Sequence, residues 1–225
     1  MATPFFLLLF VMKEEIEKNI VQFVARTLDF DHSGHGVQHA VRVAGNARVI
    51  LQKEKDGDES IILTAAYLHD CIDHKLFDDV VVQKEKVRSF LVGKHYSTPQ
   101  VDEILFIMEN VSFSKGRSGQ LNKNGQIVCD ADRLDALGAL GIIRTIEYGN
   151  SRGRPFYKDE KDVEKAVVGD YDKMDKDSSL SHFYEKLLQL KDMMFTQSAK
   201  RIAEDRTLFM QEFLNEFYKE IKYGC

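Results

Sequence analysis

Apolar residues in this chain recur every three to four positions in nearly every segment, and strict alternation is scarce. "MKEEIEKNIVQFVARTL" sets Ile16, Ile20, Phe23, Val24 and Leu28 on one stripe with charges opposite, which predicts an amphipathic helix. "HGVQHAVRVAGNARVILQKEK" repeats the pattern through Val37, Val41, Ala44 and Leu51, and "DGDES" ends it. Further helices are predicted over "IILTAAYLHD", "VQKEKVRSFLVGKHY", "TPQVDEILFIMENV" and "DADRLDALGALGIIRTIEYG". Two more follow, over "SLSHFYEKLLQLKDMM" and "SAKRIAEDRTLFMQEFLNEFYKEI"; in the second, Ile202, Phe209, Phe213 and Phe217 form a stripe that reads as core. The fold class that follows is an all-α bundle.

Two stretches break the period. Residues 113–126, "FSKGRSGQLNKNGQ", are rich in Gly, Ser and Asn, and residues 150–179 are long, charged and aperiodic, so both are predicted as loops. A loop of the second kind is either a solvated excursion or a lid. The opening "MATPFFLLLFVMKEE" holds an apolar run from Phe5 to Met12, without a basic flank or small-residue cleavage site, and too short to span a bilayer. Residues 1–12 are therefore set apart as an apolar extension of unclear role. Residues 13–225 are expected to form one domain, with C-terminal helices over 180–222 packed on the core.

Composition narrows the function. With 44% hydrophobic and 30% charged residues the chain is a globular sequence rather than a disordered one. A net charge of -5 argues against a nucleic-acid polymer as partner, which would need a basic face, but leaves room for a small anionic substrate in a locally positive pocket. Three cysteines, Cys71, Cys129 and Cys225, form no CxxC pair and no disulfide framework. A reducing cytoplasm is the expected compartment, with no membrane partner.

Histidine and aspartate carry the candidate chemistry. His32, His35 and His39 cluster where the second helix begins, and His39 shares a face with Arg42 and Asn46. Alone, such a polar stripe is equally simple solvent exposure. In "LTAAYLHDCID", however, His69 and Asp70 follow apolar positions without a turn signal, and a buried carboxylate needs a cation or hydrogen-bond donors. In "IVCDADRLDALGALG", Asp130, Asp132 and Asp135 sit among small residues that let helices approach closely. Acidic groups in a first helical turn would explain Asp130 and Asp132 without any ligand, although the preceding "IVC" implies a buried start. Two imidazoles and two carboxylates make a mixed donor set suited to Mn, Mg, Ni, Fe, Co or Zn, able to activate water and polarise a phosphoryl group.

The ordered set His39, His69-Asp70 and Asp132, framed as "HAVRV", "YLHDCID" and "DADRLDALGALG", resembles the HD superfamily of metal-dependent phosphohydrolases. More narrowly it is similar to small standalone bacterial HD hydrolases, some of which cleave nucleoside triphosphates to the monophosphate and pyrophosphate. The resemblance runs over almost the whole chain and implies a helical HD-domain fold, with a metal-site core at about 30–145. It implies that His39, His69, Asp70 and Asp132 hold one divalent ion, Mn first. It also matches Asp73 to an acidic position that serves some HD nucleotidases as general acid or base, with Asp70 the other candidate for proton transfer and Asp78 a weaker one. An ordinary surface aspartate is the competing reading of Asp73.

Two-metal HD proteins carry further histidines on later helices, whereas "EILFIMENVSFS" offers Glu109 and Asn110, which favours one metal. Lys75, Arg42, Arg133, His182 and Lys186 are the candidate phosphate-binding groups, each otherwise a solvated charge. The function expected is metal-dependent nucleotide hydrolysis with pyrophosphate release. The alternatives are phosphomonoester, phosphodiester or alarmone hydrolysis, and a non-catalytic sensor that binds metal and nucleotide.

Overall fold

Why the chain folds as it does is clearest at α3 (Glu59–Leu68), which is apolar nearly all round and is buried from Ile61 to Leu68 apart from half-buried Leu63. A helix of that composition belongs at a centre rather than on a surface. It packs on α1 (Pro4–Thr27), α2 (Val37–Glu54) and α5 (Thr98–Asn110). Asp58 starts it, accepting from the backbone N–H groups of Ser60 and Ile61 at 2.9 and 3.2 Å. A 3-10 turn, His69–Ile72, continues α3, and α4 (Val80–Gly93) precedes α5. The later elements are α6 (Lys123–Asp135), α7 (Gly138–Ser151), α8 (Glu160–Val168), a short turn at Tyr171–Lys173, α9 (Ser179–Glu185), a 3-10 stretch Leu187–Met193 and α10 (Gln197–Tyr223).

This computed structural model describes the backbone of residues 4–29, 36–111 and 120–223, and the side chains of 14–29, 36–111 and 120–222. Among the described residues there is no strand, so the all-α expectation holds. None of their helices is long and apolar enough to cross a membrane. His32 and His35 lie outside the described residues, as does the first half of the loop expected at 113–126, whose last residues already belong to α6. The backbone of α1 continues from Pro4 through the apolar opening without interruption. Two compact units result, Met1–Asp132 and Arg133–Cys225, with their boundary inside the span that the sequence reads as one domain.

Several helices have the expected period but a different phase. In α2 the buried residues are His39, Ala40, Val43, Ala44, Ala47 and Ile50, whereas Val41 is 40% exposed. The apolar face is thus centred on small residues, which let α2 lie close along α3, and His39 belongs to that face. In α10 the buried row is Ala199, Ala203, Thr207, Met210, Leu214 and Tyr218; Phe209 is 49% exposed, and the Phe213 and Phe217 rings meet Phe156 edge-on at 6.3 and 4.9 Å.

Two boundaries also differ from expectation. The segment "DADRLDALGALGIIRTIEYG" is the end of one helix and most of another, broken at Ala136-Leu137, with Gly138 at φ +72 beginning α7. Residues 150–179 contain α8, which its charges hide from a periodicity reading. Asp159 caps α8 and Gly169, at φ +84, ends it, while Val163 and Ala166 are buried.

Glycine positions test this packing. A Cβ on Gly141 would fall 2.2 Å from the Ala136 carbonyl oxygen, whereas one on Gly45, inside α2, would meet nothing within 4 Å. Gly141→Ala is expected to lose about 1–3 kcal/mol by overpacking, and Gly45→Ala to gain roughly 0.5–1 kcal/mol of helix stability. Urea unfolding measures both, and shifts of the same sign would contradict the packing described.

Candidate metal centre

At Leu68 the central helix tightens from α to 3-10 geometry, and the turn His69–Ile72 is buried throughout. His69 Nδ1 lies 2.8 Å from the Ala66 carbonyl oxygen. A carbonyl only accepts, so the ring carries its proton on Nδ1 and, when neutral, presents Nε2 as a lone pair. That Nε2 stands 3.2 Å from His39 Nε2, brought in by the small-residue face of α2. Asp70 Oδ2 lies 3.4 Å from His69 Nε2 and 3.5 Å from His39 Nε2. Asp132 Oδ1, from α6, is 3.7 and 3.3 Å from the same two nitrogens.

The structure therefore brings all four sequence-predicted ligands together within the first unit. For His39, His69 and Asp70 the donor atoms all lie within 4.8 Å of one another. Those three residues are buried, while the Asp132 side chain is 29% exposed and marks the open side.

This convergence suits a cation. One N–H on His39 can serve a single acceptor, but His69 Nε2, Asp70 Oδ2 and Asp132 Oδ1 all crowd around it. Asp70 Oδ2 is buried and makes no hydrogen bond. Leaving a carboxylate in that state costs on the order of several kcal/mol. A divalent ion bound by two imidazole nitrogens and two carboxylate oxygens removes the conflict, so the residues fit the group. Helix position adds to this. Because α6 starts at Lys123, Asp130 and Asp132 fall in its C-terminal half, where the helix dipole opposes a negative charge. The first-turn explanation of these two aspartates is thereby corrected.

Around the centre the remaining candidates divide. Asp73 leaves the 3-10 turn in extended conformation, its N–H donating to the Asp70 carbonyl at 3.1 Å. The α-helix thus does not continue to Asp73, although 3-10 geometry also sets positions three apart on one side. Asp73 Oδ1 accepts from the Lys75 backbone N–H at 2.9 Å and lies 3.3 Å from His74 Nδ1. Lys75 and Asp78 are exposed, and Arg42 is half-buried on α2. Cys71, behind the site, has its thiol pushed up by burial and by the Asp70 charge, and stays a neutral packing group. Glu109 pairs with Lys84 at 2.6 Å and Asn110 donates to the Phe106 carbonyl at 2.7 Å, so both have structural partners.

Arg133, His182 and Lys186 belong to the second unit. Arg133 donates to the Met193 carbonyl and lies over the Phe195 ring at 5.0 Å. Asp135 is fully buried and accepts from Arg144 at 2.6 Å, which makes it structural. His182 is held below the ordinary imidazole range, first by burial and then by the positive charges of Lys186 and Arg154. It is therefore neutral at pH 7. Arg154 is a cation of this group that the sequence did not single out, because it sits in the stretch read as a loop and only folding brings it near His182.

An all-helical chain with this His, His-Asp, Asp centre defines a metal-dependent hydrolase of the HD type. A profile of the HD domain matches residues 36–137. The uncharacterized protein YpgQ of Bacillus subtilis (strain 168) is 37% identical over 207 residues, 91% of this chain and 93% of its own length. The crystal structure of YpgQ in complex with ADP is similar with a TM-score of 0.74 and 34% identity, covering 91% of this chain and 97% of that one. An HD-superfamily hydrolase from Bacillus thuringiensis has a TM-score of 0.74 and 38% identity, over 94% and 99% of the two chains. The chain belongs to the HD superfamily.

The charge group around His182 yields a pH test. A folded-state midpoint below the unfolded one means the unfolded chain takes up the proton first, so His182 reduces stability as pH falls through the ordinary histidine range and has no effect well above it. Lys186→Met should raise the His182 midpoint toward its ordinary value in an NMR titration. An unmoved midpoint would assign the shift to burial and Arg154.

Proposed function

We propose that this chain is a nucleotide phosphohydrolase dependent on one divalent metal, held by His39, His69, Asp70 and Asp132, that releases pyrophosphate from nucleoside triphosphates. The observation that carries the reading is the buried Asp70 carboxylate oxygen without a hydrogen-bond donor, facing two imidazole nitrogens and a second carboxylate. YpgQ, similar over nine-tenths of the chain, was crystallised with ADP, which supports a nucleotide as ligand. Mn heads the ions assigned to the site, with Mg, Ni, Fe, Co and Zn behind it, and the cytoplasm is the compartment assigned to the protein.

Such an ion supplies a lowered pKa for bound water and polarisation of a phosphoryl oxygen. The protein's own part begins with orientation. Ala66 fixes the His69 tautomer, and the small-residue face of α2 brings His39 beside it. Asp73, its carboxylate aligned by the Lys75 N–H, is the group assigned to proton transfer, with Asp70 the alternative. Lys75, Arg42, Arg133 and Lys186 are assigned to the phosphates through charge-assisted hydrogen bonds. His182, held below the ordinary imidazole range by burial, Lys186 and Arg154, is the fifth group assigned to the phosphates.

Elemental analysis of the purified protein, followed by a nucleotide panel with Mn in which phosphate and pyrophosphate are read separately, tests the reading directly. Nucleoside triphosphates should yield pyrophosphate and the monophosphate. Orthophosphate as the product would favour a phosphomonoesterase, and bound nucleotide without turnover would identify a sensor. Asp70→Ala and Asp132→Ala should each lose metal while staying folded; wild-type metal content in both would refute the ligand set. Asp73→Asn should keep its metal and slow turnover by about 10²–10⁴-fold, and an unchanged kcat would remove Asp73 from the chemistry.

A further inference from the structure

The candidate donors come from elements far apart in sequence, so something must fix α6 against α2 for Asp132 to meet His39. Besides the approach of His39 to Asp132, two side-chain contacts between these helices bear on it. Lys123 Nζ reaches Glu54 Oε2 at 3.0 Å, and Asn46 Nδ2 donates to the Ala131 carbonyl oxygen at 3.1 Å. The same eight-residue step separates Asn46 from Glu54 on α2 and Lys123 from Ala131 on α6. At 1.5 Å rise per residue the two ties are about 12 Å apart along an antiparallel pair. The Lys123–Glu54 tie lies at the far end, with the lysine 33% exposed. The Asn46 tie lies at the near end and holds the carbonyl directly before Asp132. Asn46 is also two helical turns on from His39, on the same face of α2.

We infer that Asn46 is a positioning residue for the metal centre: by holding the Ala131 carbonyl it sets the reach of Asp132 toward His39. Ala131 is fully buried and has no side chain beyond Cβ with which to anchor this turn of α6. The amide of Asn46 is thus the polar link that fixes where the next residue's carboxylate points. The inference rests on the metal-site reading and adds to it a cause for the alignment of the one half-exposed ligand.

Titration of Mn(II) against the purified full chain, with free ion read by electron paramagnetic resonance, tests this without reference to activity. Asn46→Leu keeps the side-chain size and removes the donor; it should weaken Mn(II) binding by about 10–100-fold, the range typical of groups that orient a ligand. Lys123→Met, which cuts the far tie, should leave the affinity within about twofold of wild type. The deciding measurement is a double-mutant cycle. In the Asp132→Ala background, which loses its metal on purification but still binds added Mn(II) weakly through the other three groups, Asn46→Leu should have little further effect, whereas in the similarly weakened His69→Ala background its penalty should persist.

A penalty of equal size in both backgrounds would show general loosening and overturn the positioning role, as would unchanged affinity in a folded Asn46→Leu. Asn46→Ser removes the reach without crowding the helix pair and decides the matter if Asn46→Leu unfolds. A wild-type protein that bound no Mn(II) would refute the metal reading itself, a result distinct from equal binding by wild type and variant.

Discussion

A buried carboxylate with no hydrogen-bond donor is the constraint around which the first unit is arranged. Asp70 Oδ2 is buried and faces two imidazole nitrogens, an arrangement costly for a bare carboxylate and suited to a cation. The surrounding helices serve to make that place. The central helix α3 is apolar enough to sit inside the unit and so carries His69 and Asp70 into the core on its last turn. The alanines of α2 let it approach closely enough for His39 to reach them. From α6 comes the fourth group, at a helix end that would otherwise disfavour its charge.

Helical period was legible in the sequence, and phase was not. In both α2 and α10 the large apolar residues suggested the buried stripe, yet the buried rows centre on Ala40, Ala44 and Ala47 and on Ala199 and Ala203. The reason is steric. Closely packed helices need small residues along the line of contact, and their larger neighbours flank it. A reading that weights residues by hydrophobicity alone rotates such a helix toward its bulkier edge, which is how Val41 and Phe209 came to be expected inside. Charge misled in the same way at α8, where two apolar side chains, Val163 and Ala166, among acidic and basic ones suffice to pack one face.

The site was more legible than the fold's details because its chemistry depends on residue type and order. His39, His69, Asp70 and Asp132 were named from sequence, and the structure brings their donor atoms together. What sequence could not supply is whatever depends on a backbone partner. The Ala66 carbonyl that sets the His69 tautomer, and the Ala131 carbonyl held by Asn46, belong to residues whose side chains say nothing. Asn46 itself was visible only as part of a polar stripe, since its meaning lies in what it touches 85 positions later.

A network on α1 completes the support of the centre. Tyr67, two residues before His69, donates to Glu17 Oε1 at 2.5 Å, and Arg48 of α2 donates to Glu17 Oε2 at 2.9 Å. One carboxylate of α1 thus ties α3 and α2 together next to the residues that must meet. Burial, then the bond to Glu17 and its charge, push the Tyr67 hydroxyl well up, so it keeps its proton and remains a donor at any working pH. The two helices bearing His39 and His69-Asp70 therefore share a polar clamp whose Tyr67 donor keeps its proton near neutrality. Next to the candidate donors the clamps are two backbone carbonyls and an amide, and further out a neutral phenol; these four groups orient the donors without taking up or releasing a proton near neutrality.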